Sequence, residues 1–283
     1  MKEKAFLFLV AVVCVVVGVF SPAKAREKSP SRIISLGPSI TKPLYLLGEG
    51  ERIIAVTMYC LRPIEVRKKE RIGTVRESNV EKIISLRPDL VIATSLTNPR
   101  TVEKLRKTGI KVVVFAEPKN YAKLCEQFTE LAALVGKEDA AARILTEADT
   151  RINALREKVR GLSSPAVFVQ VGAKPLFAAT GNTFINDFII FAGARNIAGD
   201  AISGLYSRED VLRRNPEVIL IVTMGISGER EKTIWEKYKT VDATRNKRIY
   251  FIDSDKVCSP TPLSFAETLE EIVLMLHLEL GEK

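Results

Sequence analysis

Two segments of the chain repeat one pattern of polar, acidic and apolar residues. Residues 79–95 read NVEKIISLRPDLVIATS, and residues 207–223 read SREDVLRRNPEVILIVT. The copies align without a gap and place Glu81 opposite Glu209. Each has a polar helix cap, an acid in the first turn, an apolar helical stripe and a run typical of a buried strand. The spacing between the copies is too long for a solenoid, so the repeat predicts two similar α/β lobes, with a ligand site between them.

The composition is that of an ordinary soluble protein. The 283 residues are 46% hydrophobic and 27% charged, which suffices for one large core or for two lobes with a core each. Lysine and arginine number 43 against 34 aspartate and glutamate, but the charges are interspersed and form no long block. We therefore expect a generally basic protein that binds no nucleic acid.

Residues 1–25 have the pattern of a secretory signal peptide. A basic start precedes the apolar run 5–20, and small residues before the junction predict cleavage after Ala25. The run is short for a membrane span of about 20 residues, although an uncleaved anchor is the alternative. Val13 before Cys14 is not the small residue that a bacterial lipoprotein site requires, so lipidation is not expected.

Three cysteines follow the predicted leader, and an odd number permits at most one internal disulfide. Their spacing matches no zinc or iron–sulfur pattern. Cys125 lies on an apolar helical stripe and is interpreted as a buried hydrophobic residue. Cys60 and Cys258 both follow predicted strands, so a disulfide between them stays open.

Apolar runs alternate with helical patterns along the chain, which predicts parallel sheets with crossover helices. We expect a signal peptide at 1–25, an N-terminal α/β lobe at 26–137, a linking helix at 138–161 and a C-terminal α/β lobe at 162–283. The predicted strands are 32–36, 52–56, 90–94, 111–115, 166–171, 218–222 and 248–252. The predicted helices outside the linker are 39–47, 80–86, 99–108, 121–135, 184–191, 208–214, 229–238 and 262–280.

The linking helix is unusual for a connection between two lobes. Ile144, Ala148, Ile152, Leu155 and Val159 recur at helical spacing without an interruption. A continuous helix is stiffer than a flexible linker. We therefore expect only a small closing motion between the lobes.

Catalytic and metal-binding motifs are absent from the sequence. The chain has one histidine, His277, which its apolar neighbours place at a helix surface or core edge. There is no phosphate-binding loop, dinucleotide-binding glycine pattern or nucleophile elbow. We expect no enzyme activity, no bound cofactor and no metal site. The alternatives are an exported two-lobe enzyme acting on a nucleotide sugar or metal chelate, and a surface interaction module without a ligand.

Four segments together resemble a known protein family. They are residues 32–60, the first repeat copy, residues 175–198 and the second repeat copy. Their order resembles that of the periplasmic binding proteins that serve ABC importers for cobalamin and ferric siderophores. The resemblance implies two Rossmann-like lobes joined by one long helix, with a metal chelate held between them. It also implies a monomeric periplasmic protein that delivers its ligand to a permease dimer in the inner membrane.

The resemblance gives the two repeat acids a role. In such proteins an acid on each lobe docks onto arginines of the permease, and the matching residues are Glu81 and Glu209. Each is also a favourable acid in the first turn of a helix, after the predicted caps Asn79 and Ser207. Both roles are compatible, because a carboxylate in the first turn is exposed to a partner.

The ligand-binding residues are expected in loops at the carboxyl ends of the strands. Aromatic or apolar contacts are expected from some of them, and ion pairs with an anionic ligand from Arg62, Arg76 and Lys174. The full predicted set is Tyr59, Arg62, Arg76, Lys174, Phe177, Leu205 and Tyr206.

The identity of the ligand stays open between two kinds of metal chelate. Cobalamin-binding relatives flank the cleft with tryptophan, whereas the one tryptophan here, Trp235, lies on a predicted helix away from the cleft. Arginines in the same loops suit an anionic ferric siderophore, and tyrosine and apolar residues suit a corrinoid. Bare zinc or manganese is disfavoured by the single histidine.

Overall fold

A computed structural model describes residues 29–223, 225 and 228–281. The predicted signal peptide, including its cleavage site after Ala25, lies outside the described residues. None of the helices in the described part of the chain is both long and apolar enough to span a membrane.

The N-terminal lobe contains a five-stranded parallel sheet. The strands are β1 (Ile33–Ser35), β2 (Ile53–Val56), β3 (Glu70–Arg71), β4 (Leu90–Thr94) and β5 (Val112–Phe115). They lie in the order β3-β2-β1-β4-β5. The central strands are buried on both faces because helices cover both, which explains why their sequences are continuous apolar runs. The helices are α1 (Pro38–Leu46), α2 (Val80–Ser85), α3 (Pro99–Lys107) and α4 (Tyr121–Val135).

The C-terminal lobe is built around a second sheet, with the strands β6 (Ala166–Ala173), β7 (Leu176–Ala178), β8 (Arg195–Asn196), β9 (Val218–Val222) and β10 (Ile249–Ile252). Four of them lie in the order β10-β9-β6-β7, and the short β8 pairs with β6. Between the lobes runs α5 (Glu138–Val159). The remaining helices are α6 (Ile185–Phe191), α7 (Arg208–Arg214), α8 (Gly228–Trp235), α9 (Asp242–Arg245), α10 (Ser254–Cys258) and α11 (Pro262–Leu276).

The predicted fold class is confirmed: two α/β lobes are joined by one long helix. The helix α5 belongs to both cores, since its Ala141 packs in the N-terminal core and its Ile152 and Val159 pack in the C-terminal core. Short 3₁₀ turns at Gly50–Arg52, Ile64–Lys68 and Leu278–Leu280 complete the architecture. The domain limits given above stay predictions.

One strand departs from the expected all-parallel arrangement. The strand β7 pairs antiparallel with β6. Only Lys174 and Pro175 separate the two strands, and a parallel return needs a crossover of a dozen or more residues. The sequence analysis missed β7, because three residues carry too little periodicity to be recognised as a strand.

The two repeat copies fold alike down to single backbone angles. In each copy, a polar side chain caps the helix: Asn79 accepts the N–H of Lys82, and Ser207 accepts the N–H of Asp210. After each helix, one residue adopts the left-handed conformation that reverses the chain toward the strand. These residues are Arg87, with φ 47°, and its equivalent Asn215, with φ 41°.

An acid next to the repeat proline ties each copy to the first strand of its lobe. Asp89 accepts the backbone N–H groups of Ser31 at 2.7 Å and Arg32 at 3.0 Å, directly before β1. The equivalent Glu217 accepts the N–H of Ala166, the first residue of β6, at 2.9 Å. These bonds satisfy backbone donors at the start of each sheet.

Two expectations about single residues need correction or completion. His277 is fully buried rather than at a surface or core edge, because it ends α11 beneath α6 and its Nε2 lies 2.8 Å from the carbonyl oxygen of Ala192. No disulfide joins Cys60 to Cys258 in the structure. The buried Cys60 sulfur instead accepts the Thr41 hydroxyl at 3.1 Å.

Candidate ligand cleft

The carboxyl ends of the strands in both sheets face the gap between the lobes. Lys42 lies on α1, which follows β1, and its Nζ donates to the backbone oxygen of Asp255 at 3.0 Å and to its carboxylate at 3.1 Å. Asp255 lies on α10, which follows β10. Ligands of open α/β sheets bind outside the carboxyl ends of the strands, so this gap is the candidate site.

Four charged residues, Lys42, Arg62, Asp253 and Asp255, form what we call the interlobe ion-pair cluster. Arg62 Nε lies 3.4 Å from Asp255 Oδ2, and Arg62 Nη2 lies 3.9 Å from Asp253 Oδ2. Asp253 also accepts the N–H of Asp255 at 2.9 Å, where it caps α10. The two positive charges of one lobe are therefore matched by two negative charges of the other.

Lys42 depends on this pairing more than Arg62 does. The Lys42 side chain is only 13% exposed, whereas that of Arg62 is 67% exposed. Burial lowers the pKa of Lys42 below its ordinary value, and the neighbouring Asp255 carboxylate opposes that shift by favouring the charged form. An unpaired ammonium at this position would be poorly solvated.

A cavity of about 870 Å³ lies between the lobes beside the cluster. Its volume is in the range of small-molecule sites. Glu267 of α11 lines the cavity and also lies 3.8 Å from Arg151 of the linking helix. Its other walls include Leu46, Leu61, Ile64, Thr261 and Ser264.

Large apolar side chains project from the N-terminal edge of the cleft. We call Met58, Tyr59, Leu61 and Ile64, which follow β2, the N-terminal lip, and each of them is more than half exposed. Leu96, which follows β4, is also about half exposed. Apolar side chains grouped in this way mark a surface that contacts a ligand or a partner.

The C-terminal edge of the cleft carries a matching set, Phe177, Ile202 and Leu205, which we call the C-terminal lip. All three are exposed. Phe177 on β7 forms an isolated antiparallel bridge with Leu205, which fixes the loop that precedes α7 against the sheet. This close approach requires Gly204, where an added Cβ would lie 2.9 Å from the carbonyl oxygen of Ala178.

The predicted cationic residues occupy different environments. Arg62 is engaged by the C-terminal acids, so it is not free in the way that pairing with an anionic ligand requires. Arg76, in the turn before α2, and Lys174, in the β6–β7 turn, are both exposed. Their contact with ligand stays a prediction.

Tyr206 is the predicted ligand residue whose surroundings differ most from expectation. Its ring packs 5.8 Å from that of Phe168 inside the C-terminal core, and the Arg214 guanidinium lies 6.0 Å from the ring. Its neighbour Leu205 projects from the lip instead. The packing gives Tyr206 a structural role, and its contact with ligand stays a prediction.

A carboxyl group at the N-terminal edge escaped the sequence analysis. Glu117 follows β5, and partial burial raises its pKa above the ordinary value, although a hydrogen bond with Thr94 opposes the shift. Thr94 ends the neighbouring strand β4 and is itself buried. A carboxyl group with a raised pKa suits a ligand that offers hydrogen-bonding groups.

The predicted docking acids lie on exposed first turns of equivalent helices, Glu81 on α2 and Glu209 on α7. No ion pair within the described residues engages either carboxylate. Both are therefore accessible to an external partner, as the docking hypothesis requires. That they meet a permease stays a prediction.

A buried polar network lies directly behind Glu209. Arg208 Nη2 donates to Glu231 Oε2 at 2.7 Å, and Gln170 Nε2 donates to the same oxygen at 2.8 Å. Trp235 Nε1 donates to Gln170 Oε1 at 2.7 Å, and the Arg208 guanidinium lies 4.5 Å above the Trp235 ring. Burial alone raises the pKa of Glu231, but the hydrogen bonds from Gln170 and Arg208 outweigh it, and the pKa is lowered.

The residues that the sequence analysis missed fall into two kinds. Met58, Leu61 and Leu96 could have been found, because apolar residues in polar loops after strands are a usable signal. Lys42 and Asp255 could not, since their role depends on contact between distant segments. Among the residues that the structure describes, no group of three or more His, Cys, Asp or Glu side chains is arranged to hold a metal ion.

Comparisons with known proteins agree with this architecture. Residues 33–256 match the model of the periplasmic binding protein family. The vitamin B12-binding protein of Yersinia pseudotuberculosis is 30% identical over 214 residues, which cover 75% of each chain. The substrate-binding lipoprotein YvrC of an ABC transporter in Bacillus subtilis is 28% identical over 260 residues, 89% of this chain and 81% of that protein. A crystal structure of a possible iron-binding periplasmic solute-binding protein from Staphylococcus epidermidis aligns with a TM-score of 0.79 at 28% identity, covering 88% of this chain and all of that one.

Proposed function

The chain belongs to the periplasmic binding protein family, and from that premise we propose that it is the substrate-binding component of an ABC importer for a metal chelate. The ligand is held between the lips of the two lobes and passed unchanged to a membrane permease. Of the two chelates left open by the sequence, the proposal favours a corrinoid over a ferric siderophore.

The observation that carries this preference is the apolar character of both lips. Tyr59 is 59% exposed and Leu205 is 58% exposed, and each stands among other exposed apolar side chains of its lobe. Covering such residues with a large, mainly apolar ring contributes roughly 25 cal/mol per Å² of apolar surface removed from water. A hydrophilic siderophore would gain less from the same surface.

The charges at the cleft support the same choice. Arg62 already lies within ion-pair distance of Asp253 and Asp255, so an anionic chelate would have to displace a carboxylate to reach it. Exchanging one ion pair for another brings little net free energy in a solvated site. A corrinoid with uncharged amide side groups requires no such exchange.

Titration of the purified protein with three probes tests the proposal: cyanocobalamin, haem and an anionic ferric siderophore. We expect one-to-one binding of cyanocobalamin in calorimetry, with the ligand recovered unchanged, and weaker binding of the other two. Tight binding of the siderophore with no binding of cyanocobalamin would contradict the choice of ligand. Chemical conversion of a probe would support the alternative of an enzyme, and no binding of any probe would support the interaction module.

A matched pair of variants locates the site. Leu205→Asp places a charge on the C-terminal lip and is expected to weaken cyanocobalamin binding about tenfold or more, since 1.4 kcal/mol corresponds to a factor of ten. Ile190→Asp, at an exposed apolar residue of α6, is the control. Equal loss of affinity in both variants would place the ligand elsewhere.

A further inference from the structure

The interlobe ion-pair cluster joins the lobes at a place separate from the helices α4 and α5, which both pack into the C-terminal core through residues such as Tyr121 and Ile152. The helix α5 packs along α11 and enters both cores. The four cluster residues line the interlobe cavity together with Glu267, which lies 3.8 Å from Arg151 of the linking helix. A body attached to another at two separated places has less freedom to rotate than a body attached at one.

Asp255 is the centre of this attachment. Its Oδ1 accepts Lys42 at 3.1 Å, its backbone oxygen accepts the same ammonium at 3.0 Å, and its Oδ2 faces Arg62 at 3.4 Å. Its own position is fixed by the Asp253 cap, which accepts its N–H at 2.9 Å. One residue of the C-terminal lobe thus engages two bases of the N-terminal lobe.

We infer that Asp255 is a positioning residue that sets the width of the cleft, by holding Lys42 and Arg62 of the opposite lobe at the spacing seen in the structure. When Asp255 loses its charge, the poorly solvated Lys42 ammonium keeps only weaker partners. Separation of the lobes then becomes favourable, because it admits water to that ammonium. The lips move apart with the lobes, and so do the two predicted docking acids.

The inference goes beyond the proposed function and does not depend on which chelate binds. It predicts a mechanical property of the protein without ligand, namely a narrow distribution of distances between the lobes. Failure of every probe to bind would end the proposed function and leave this property untouched. An unchanged distance in the variants below would end the inference and leave the proposed function untouched.

Distance measurement by pulsed electron spin resonance tests it. Spin labels are attached at Glu77→Cys and Ser203→Cys, two exposed positions on the loops before α2 and α7, with Cys258→Ser removing the exposed native thiol. Against this background, Asp255→Asn is expected to shift the distance to longer values and to broaden its distribution. The milder Arg62→Gln, at a largely exposed side chain, is expected to produce a smaller shift of the distance in the same direction. It tests the inference even if Asp255→Asn does not fold.

The control is an ion pair that stays inside one lobe and whose carboxylate is 47% exposed, against 37% for Asp255. Glu271→Gln removes the partner of Lys256, whose Nζ lies 2.6 Å from Glu271 Oε1, without touching the opposite lobe. We expect no shift of the distance in this variant. A shift equal to that of Asp255→Asn, or an unchanged distance in both cluster variants with native circular dichroism, would overturn the assignment.

Salt gives an independent readout. Raising the ionic strength to about 1 M shortens the Debye length to about 3 Å and weakens the exposed Arg62 pair more than the buried Lys42 pair. At high salt, the protein with the unmodified cluster should therefore show the small increase in label distance that Arg62→Gln produces at low salt. The distance in the Arg62→Gln variant itself should respond little to salt. Equal salt responses of the two proteins would contradict the role given to Arg62.

Discussion

The two lobes share a backbone conformation in their repeat copies and differ in the side chains that pack beneath the repeat helix. Arg87 and Asn215 reverse the chain with the same left-handed geometry, and Asp89 and Glu217 fasten the first strand of each lobe. In the helix that carries the predicted docking acid, however, the N-terminal lobe places the apolar Val80 where the C-terminal lobe places Arg208.

This difference continues into the interior of each lobe. Val80 packs against a cluster of buried apolar residues, whereas Arg208 requires the buried carboxylate of Glu231, and Glu231 in turn accepts a hydrogen bond from Gln170. Backbone reversal and strand anchoring are needed wherever this α/β unit folds, so both copies keep them. Side-chain chemistry beneath the surface is set by the partner elements of each lobe, so it has diverged.

The largest effect on uptake is expected at the two predicted docking acids, where the surfaces of the lobes are most alike. If both docking acids contact the permease, Glu81→Arg and Glu209→Arg should each reduce chelate uptake by tenfold or more, because charge reversal opposite arginines costs more than about 1.4 kcal/mol. Ligand affinity should stay unchanged, since both side chains are exposed, and stability should fall by no more than about 1 kcal/mol, the scale of a first-turn charge at a helix N-terminus. Uptake into cells and calorimetry of the purified variants measure the two quantities.

Glu147→Arg supplies the control for charge reversal, at an exposed position on the linking helix. It should leave uptake intact. If only one docking variant loses uptake, the lobes contact the permease unequally. If ligand affinity falls in parallel with uptake, the acids line the ligand site and the docking role is wrong.

The second expected effect, on stability, distinguishes the core of the C-terminal lobe from that of the N-terminal lobe. Glu231→Ala leaves the Arg208 guanidinium buried without its acid, and we expect the free energy of unfolding to fall by about 3 kcal/mol. The double variant Arg208→Val with Glu231→Leu imitates the N-terminal lobe and should recover most of that loss. Urea titration measures each value, and a double variant no more stable than Glu231→Ala would contradict the account.

The same pair predicts a pH dependence. The lowered pKa of Glu231 means that its stabilising charge is fully present above the value of about 4.3 for an unfolded glutamate. That contribution is lost as the pH falls through the lower value of the folded state. The stability difference between the unmodified protein and the double variant should therefore stay constant near neutral pH and change only below about pH 4. A change between pH 5 and 7 would assign the titration to another group.

The comparison of the two lobes also shows which features a sequence can predict. The repeat, the two lobes and a long helix between them follow from periodicity and caps, because these are local patterns. The contact of Lys42 with Asp255 and the Glu231 network join segments far apart in the chain. No local pattern encodes such contacts, so the sequence analysis assigned Arg62 to a ligand without detecting its acids.

A third test compares the two strand anchors. Asp89 accepts hydrogen bonds from Ser31 and Arg32, and these outweigh the effect of burial and lower its pKa. Asp89→Asn should therefore cost about 1 kcal/mol at neutral pH, whereas Glu217→Gln, which loses charge from a single bond to Ala166, should cost about half as much. The cost of Asp89→Asn should be fully present above the usual aspartate value of about 3.9 and should be lost as the pH falls through the lower pKa of the folded state. Equal costs at neutral pH would show that the number of bonds does not decide the difference.

The smallest effect has opposite signs in the two lobes. Arg87 holds a left-handed backbone that disfavours a side chain with a Cβ, so Arg87→Gly is expected to stabilise the protein by about 0.5 kcal/mol. Asn215 tolerates the same geometry and also exchanges hydrogen bonds with Asp242, donating to its carboxylate at 3.0 Å and accepting its N–H at 2.9 Å. Asn215→Gly should therefore destabilise the protein by about 1 kcal/mol. Arg87→Ala keeps the Cβ and separates backbone strain from loss of the arginine side chain: urea titration should show no gain for it, and a gain equal to that of Arg87→Gly would assign the effect to the side chain.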